Sequence, residues 1–91
     1  MASQEEGQAS VQVNPLRAVV EVVAKALVDR PEQVKVTETV RRGTTVVELT
    51  TAPGDMGKII GRQGRTAAAL RTVVALTAER LGVRAQLDIR D

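Results

Sequence analysis

The chain has 91 residues, enough for one domain with a lean core, because a body of this size buries only about 60% of the surface its unfolded chain exposes. Apolar residues make up 43% and charged residues 26%, as in a folded soluble domain, and the lack of Cys and His removes disulfides, the usual zinc sites, thiol nucleophiles and imidazole acid/base chemistry together. There is no Phe, Trp or Tyr, so no base can stack on an aromatic side chain, and a net charge of +2 is too small to argue for a nucleic-acid partner by itself.

Met1 to Val13 is rich in Gln, Glu, Ser, Gly and Ala and reads as a flexible tail, leaving residues 14–91 as the domain. The start has no basic stretch and no apolar run, and nowhere do about 18 apolar residues follow one another. No signal peptide or membrane span is expected, and a cytoplasmic location fits. Asn14 offers a helix N-cap and Pro15 suits the first helical position. Behind them Leu16, Val20, Val23 and Leu27 recur at helical spacing, with Val19 and Ala26 alongside, in an amphipathic helix closed before Pro31. Val34 and Val36 alternate with Lys35 and Thr37, and Thr44 to Thr51 is dense in β-branched residues, which predicts an antiparallel hairpin about Arg41-Arg42-Gly43. Ala52-Pro53-Gly54 stops the second strand, and Asp55 is placed to cap a short helix through Ile60. From Arg65 to Leu81 the pattern Leu70, Val73, Val74, Thr77, Leu81 is helical again, with Gly82 as its C-terminal cap. Val83, Ala85, Leu87 and Ile89 then alternate with Arg84, Gln86, Asp88 and Arg90 in a half-buried strand. A helical crossover joins the second strand to the last, so if those two are neighbours they should be parallel.

Gly57-Lys58-Ile59-Ile60-Gly61-Arg62-Gln63-Gly64 is the most informative stretch, with glycines, cations and branched apolar residues in one short turn. Between Met56 and Ala78 lie Lys58, Arg62, Arg65 and Arg71 and no acid, which makes this the basic zone of the chain. A P-loop needs four residues between its first glycine and Gly-Lys, then Ser or Thr; Gly54 and Gly57 have two between them, and Ile59 follows Lys58. The dinucleotide fingerprint has its shorter glycine step first and follows a strand, whereas Gly57, Gly61 and Gly64 run the other way between helices. Neither spacing supports nucleotide binding. Glycines at the junction of two helices do leave backbone N–H donors and a helix N-terminus to attract phosphate.

Ile59-Ile60-Gly61-Arg62-Gln63-Gly64-Arg65-Thr66 resembles the signature of the KH domain, in which a Gly-x-x-Gly turn joins two helices. A leading helix and strand ahead of strand, helix, helix and strand resembles the type II, prokaryotic arrangement, and a single such domain in so short a chain resembles the small bacterial KhpA family of RNA-binding proteins. The resemblance implies an α+β fold in the order α-β-β-α-α-β, with three helices on one face of a three-stranded sheet. It also implies a clamp on about four nucleotides of single-stranded RNA backbone. By it, Arg62 and Gln63 between Gly61 and Gly64 meet phosphate and sugar oxygens, and Lys58 and Arg65 flank the backbone path. Ile59 and Ile60 divide between the core and an apolar groove floor, and a sheet edge including part of Thr44 to Thr51 supplies the other wall. Arg71, about two turns further on, is a weaker candidate. Members of the family form homodimers and pair with a larger KH-containing protein, and an RNA chaperone or adaptor role with little sequence preference follows.

Each feature has a plainer reading. On it, Gly61 and Gly64 serve only a tight helix-helix turn, with Arg62 and Gln63 solvated, and the protein is an adaptor that dimerises without touching RNA. Arg41-Arg42 at a hairpin tip usually serves solubility, with an RNA phosphate contact as the alternative. No paired acids, nucleophile or ligand set suggests an enzyme, and no cofactor or metal is implied.

Overall fold

The computed structural model describes residues 14–90. The tail expected at 1–13 lies outside them. Helix α1 (Pro15–Leu27) leads, followed by strands β1 (Lys35–Arg41) and β2 (Thr44–Thr50), the short helix α2 (Met56–Ile60), the long helix α3 (Arg65–Leu81) and strand β3 (Arg84–Arg90). Single 3₁₀ turns at Pro31–Gln33 and Pro53–Asp55 lead into β1 and α2.

The sheet runs β1-β2-β3, antiparallel between β1 and β2 and parallel between β2 and β3. The hairpin closes on Arg42 and Gly43, whose φ values of 51° and 81° give the left-handed pair that matches the twist of the flanking strands. The parallel pairing follows from the crossover through α2 and α3.

Side chains alternate across the strands, and one face carries Val36, Val47, Leu49 and Leu87 into a core shared with Leu16, Val20 and Ala24 of α1, Ile59 of α2, and Leu70, Val74 and Ala78 of α3. All three helices therefore contribute to one core, as the resemblance implied. Helix α1 buries a narrower stripe than its periodicity suggests: Ala24 is enclosed, whereas Leu27 at the last position is exposed. Leu81 is likewise exposed at the end of α3. Both sit where a helix outruns the layer beneath it.

The ends of the helices are chemically specified. Asn14 Oδ1 accepts from the N–H groups of Leu16 (2.9 Å) and Arg17 (3.4 Å), and its Nδ2 donates to Glu38 Oε1 at 2.6 Å, tying the start of α1 to β1. At the far end of α3, Gly82 takes φ 72° and donates to Glu79, while Val83 donates to the Ala78 carbonyl, which is a Schellman closure. Asp55 departs from expectation. It stands at the start of α2 but makes no capping bond there; its Oδ2 accepts the Arg30 N–H at 3.0 Å, and the residue is 3% exposed. The carboxylate ties the connection between α1 and β1 to the root of α2.

Candidate nucleic-acid interface

The turn between α2 and α3 is built from three residues in left-handed backbone. Gly61 has φ 77° and ψ 170°, Gln63 φ 57° and ψ 27°, and Gly64 φ 73° and ψ 11°. Gly61 is required twice over. Its ψ puts it where only glycine is comfortable, and a Cβ built there would lie 2.6 Å from Thr66 Cβ, 2.9 Å from Thr66 N, and closer still to the Thr66 hydroxyl. At Gly64 a Cβ would meet nothing within 4 Å, so its demand is conformational alone. Gly57, by contrast, sits in ordinary helical backbone with open space beside it, and is not part of the clamp geometry.

Hydrogen bonds inside the turn use some of the donors expected to face outward. Gly61 N–H donates to the Gly57 carbonyl at 2.9 Å, Gly64 N–H to the Gly61 carbonyl at 3.1 Å, and Arg65 N–H to the Arg62 carbonyl. The N–H groups of Arg62 and Gln63 have no backbone acceptor among the described residues. The anion-attracting donors of the turn are thus two, carried by the residues between the glycines.

The side chains sort clearly. Ile59 is fully enclosed in the core and holds the turn to the body of the domain, whereas Ile60 is 38% exposed beside it. Of the two isoleucines, Ile60 is therefore the one available to a groove floor, and Ile59 has no surface with which to touch a ligand. Arg62 is exposed and makes no ion pair among the described residues. Arg65 Nη2 donates to Gln63 Oε1 at 3.1 Å, which fixes the amide so that its NH₂ remains as the outward donor. Lys58 Nζ lies 3.3 Å from Asp29 Oδ2, an exposed pair that diverts part of its charge toward the end of α1. Arg71 is exposed on α3.

Two contacts at this site escaped the sequence reading. Thr66 is the packing partner that makes Gly61 obligatory, and Asp29 faces Lys58 from the connection after α1, 29 positions away. Only spatial proximity reveals either. The expected groove wall also needs correction. All of the Thr44 to Thr51 segment but Thr51 is β2, the middle strand, paired on both sides, so it offers no free edge; the edges belong to β1 and β3, and α3 packs on β3. The misplacement arose because strand order cannot be read from element order. Among the described residues, no three His, Cys, Asp or Glu side chains come together as a metal site, and no helix is long and apolar enough to cross a membrane.

A Gly-x-x-Gly turn between two helices, carried on an α-β-β-α-α-β body with a mixed three-stranded sheet, defines a KH domain of the type II arrangement. The family model described as KhpA/KhpB, KH domain, matches residues 17–89, and the chain belongs to that family. It is 43% identical over 77 residues to the RNA-binding protein KhpA of Aquifex aeolicus, covering 85% of this chain and 98% of that relative. It is 47% identical over 76 residues to the RNA-binding protein KhpA of Halalkalibacterium halodurans, covering 84% of this chain and all of that relative (100%). A third, the RNA-binding protein KhpA of Clostridium perfringens, is 49% identical over 63 residues, covering 69% of this chain and 84% of that relative. These are names of binding proteins, and the family is not one of enzymes.

Proposed function

We propose that this protein binds single-stranded RNA and grips the backbone of about four nucleotides at the turn from Gly61 to Gly64. One observation carries the reading. Between two helices, left-handed backbone presents the N–H groups of Arg62 and Gln63, a guanidinium with no ion pair among the described residues and an oriented amide on one exposed projection beside Ile60. Arg62 pairs a phosphate, Gln63 donates to a phosphate or sugar oxygen, and Arg65 and Lys58 flank the strand. Ile60 gives the bases an apolar surface, and Ile59 acts from beneath as the anchor. That relatives 43% and 47% identical are RNA-binding proteins supports RNA as the ligand.

With one clamp, few cations and no aromatic platform, binding is of modest affinity and has little sequence preference. That suits an RNA chaperone or adaptor in the cytoplasm, with residues 14–91 as the binding domain and 1–13 as a tail. A homodimer, and pairing with a larger KH-containing protein, would add a second clamp and raise affinity through effective concentration. The exposed Val73 and Leu76, three residues apart on α3, supply apolar surface that such an association would cover.

The test is the double substitution Arg62→Asp with Gln63→Asp, both exposed positions, the second in a backbone conformation that Asp tolerates. The expected result is an unchanged thermal melt with binding to a short single-stranded RNA abolished at low salt. Unchanged affinity would refute the clamp and leave the protein-adaptor reading.

A further inference from the structure

The hairpin-tip arginines gain a third member in the folded chain. Arg41 pairs with Thr44 and Thr44 with Arg84, so the two arginines stand in one row across the sheet, on the face away from the helices. At a strand spacing of about 4.8 Å their Cα atoms are about 10 Å apart. Arg42 adjoins them at the turn. All three are exposed, and none makes an ion pair among the described residues.

Charge on this open face is segregated along the strands. The next row, Thr39, Val46 and Gln86, carries none, and the acids Glu48 and Asp88 appear in the row beyond. There Arg90 engages both, at 3.3 Å and 3.9 Å. The Gln86 amide donates to Asp88 at 3.2 Å, so among the described residues the arginine end keeps its charge unopposed, beside the hydroxyls of Thr39 and Thr44. Glu79 and Arg80, which end α3 nearby in sequence, carry opposite charges.

This end is remote from the Gly-x-x-Gly turn. Helix α3 starts at Arg65 against the turn and runs 17 residues, about 25 Å at 1.5 Å per residue, before β3 starts at Arg84.

We propose that Arg41, Arg42 and Arg84 form a second contact for RNA backbone, at the opposite end of the domain from the Gly-x-x-Gly turn. The proposal rests on the RNA-binding reading above and adds to it. Planar guanidinium forks match phosphate oxygens in pairs, and three unopposed ones side by side suit a chain with a charge at every step. A domain with a grip at each end holds two segments of one RNA, or two strands, which is the arrangement an annealing factor needs.

The test compares fluorescence anisotropy titrations of RNAs of about 5 nucleotides, close to the four of a KH clamp, and of about 30, across a salt series. The variant is Arg41→Gln, Arg42→Asn and Arg84→Gln, with Asn chosen for the positive φ of Arg42. It is expected to leave the short RNA unaffected, weaken the long one about tenfold, and flatten the slope of log affinity against log salt by about 2, at about 0.7 per phosphate. A triple lysine version should keep the wild-type slope and excludes a folding effect. Wild-type behaviour of the glutamine variant on the long RNA would overturn the proposal. So would equal loss on both lengths, which signals a general field, or binding of polyglutamate at this patch with RNA unaffected. If instead the Arg62→Asp, Gln63→Asp variant binds the short RNA normally, the turn has failed as the clamp, while selective loss by the arginine variant still supports the second contact.

Discussion

Replacing Gly61 with alanine tests the geometry of the turn more sharply than any charge change. At φ 77° and ψ 170° the backbone lies in a region essentially restricted to glycine, which costs another residue about 1–3 kcal/mol. The new Cβ would also press on Thr66, at 2.6 Å from its Cβ and 2.9 Å from its backbone N. Backbone at that distance cannot swing aside as a flexible side chain would, so α3 must shift at its first turn or Gly61 must leave its conformation. A total loss of about 3 kcal/mol is expected, as for other strained substitutions with a steric clash. For a domain of this size that lowers the melting temperature by about 12–24 °C.

The other glycines are the internal controls. Gly64→Ala meets no atom within 4 Å and pays only for its φ of 73°, about 1–2 kcal/mol. Gly57→Ala has open space and helical backbone, so it should stabilise by about 0.5–1 kcal/mol. Urea denaturation of the three variants should rank them Gly57→Ala, Gly64→Ala, Gly61→Ala in falling stability. Equal losses at Gly61 and Gly64, or a loss below about 0.5 kcal/mol at Gly61, would show that the Thr66 contact does not constrain the turn.

Adjacent isoleucines should behave oppositely. Ile59→Ala should cost about 2–5 kcal/mol in denaturant unfolding, because the side chain is wholly enclosed, while Ile60→Ala should cost under about 1 kcal/mol yet weaken RNA binding. Equal stability losses would place Ile60 in the core. Asp55→Ala removes the acceptor of the Arg30 N–H from a buried position and should destabilise by about 1–3 kcal/mol, with Asp55→Asn milder because its carbonyl still accepts. If the two substitutions melt alike, the bond from Arg30 is not what Asp55 contributes.

The fold was legible wherever a local rule decides. Asn14 and Pro15 announce a helix start by side-chain chemistry, Gly82 announces an end by its φ, and the alternation of Ala85, Leu87 and Ile89 fixes which face of β3 meets the helices, whereas Val83 lies before the strand and is exposed. Asp55 misled because an acid before a helix has two uses within reach, its own cap or a distant N–H, and sequence shows only the nearer. Strand order misled for a related reason. A hairpin and a crossover say which strands are antiparallel or parallel, but place β3 on either side of the hairpin; the pairing of β2 with β3 makes β2 central and takes it out of contention as a groove edge.

At the site, the residues that project were legible and the residues that hold them were not. Gly61, Arg62, Gln63 and Gly64 lie in one word of sequence, and their spacing already carries the conformation. Thr66 acts through a contact that exists only once α2 and α3 are joined, and the division between Ile59 and Ile60 depends on which of two neighbours the short helix turns inward. The arginine row extends the same logic. Arg41 and Arg84 are 43 positions apart and become neighbours only through the register of two strands with Thr44. A count of charge along the chain therefore locates the basic zone around the turn and passes over a second cluster of three arginines, because the sheet assembles it from two places. If RNA occupies both ends, the modest net charge of +2 is a poor guide to how many phosphates the protein can hold; what sets that number is how far the acids are kept from each arginine cluster.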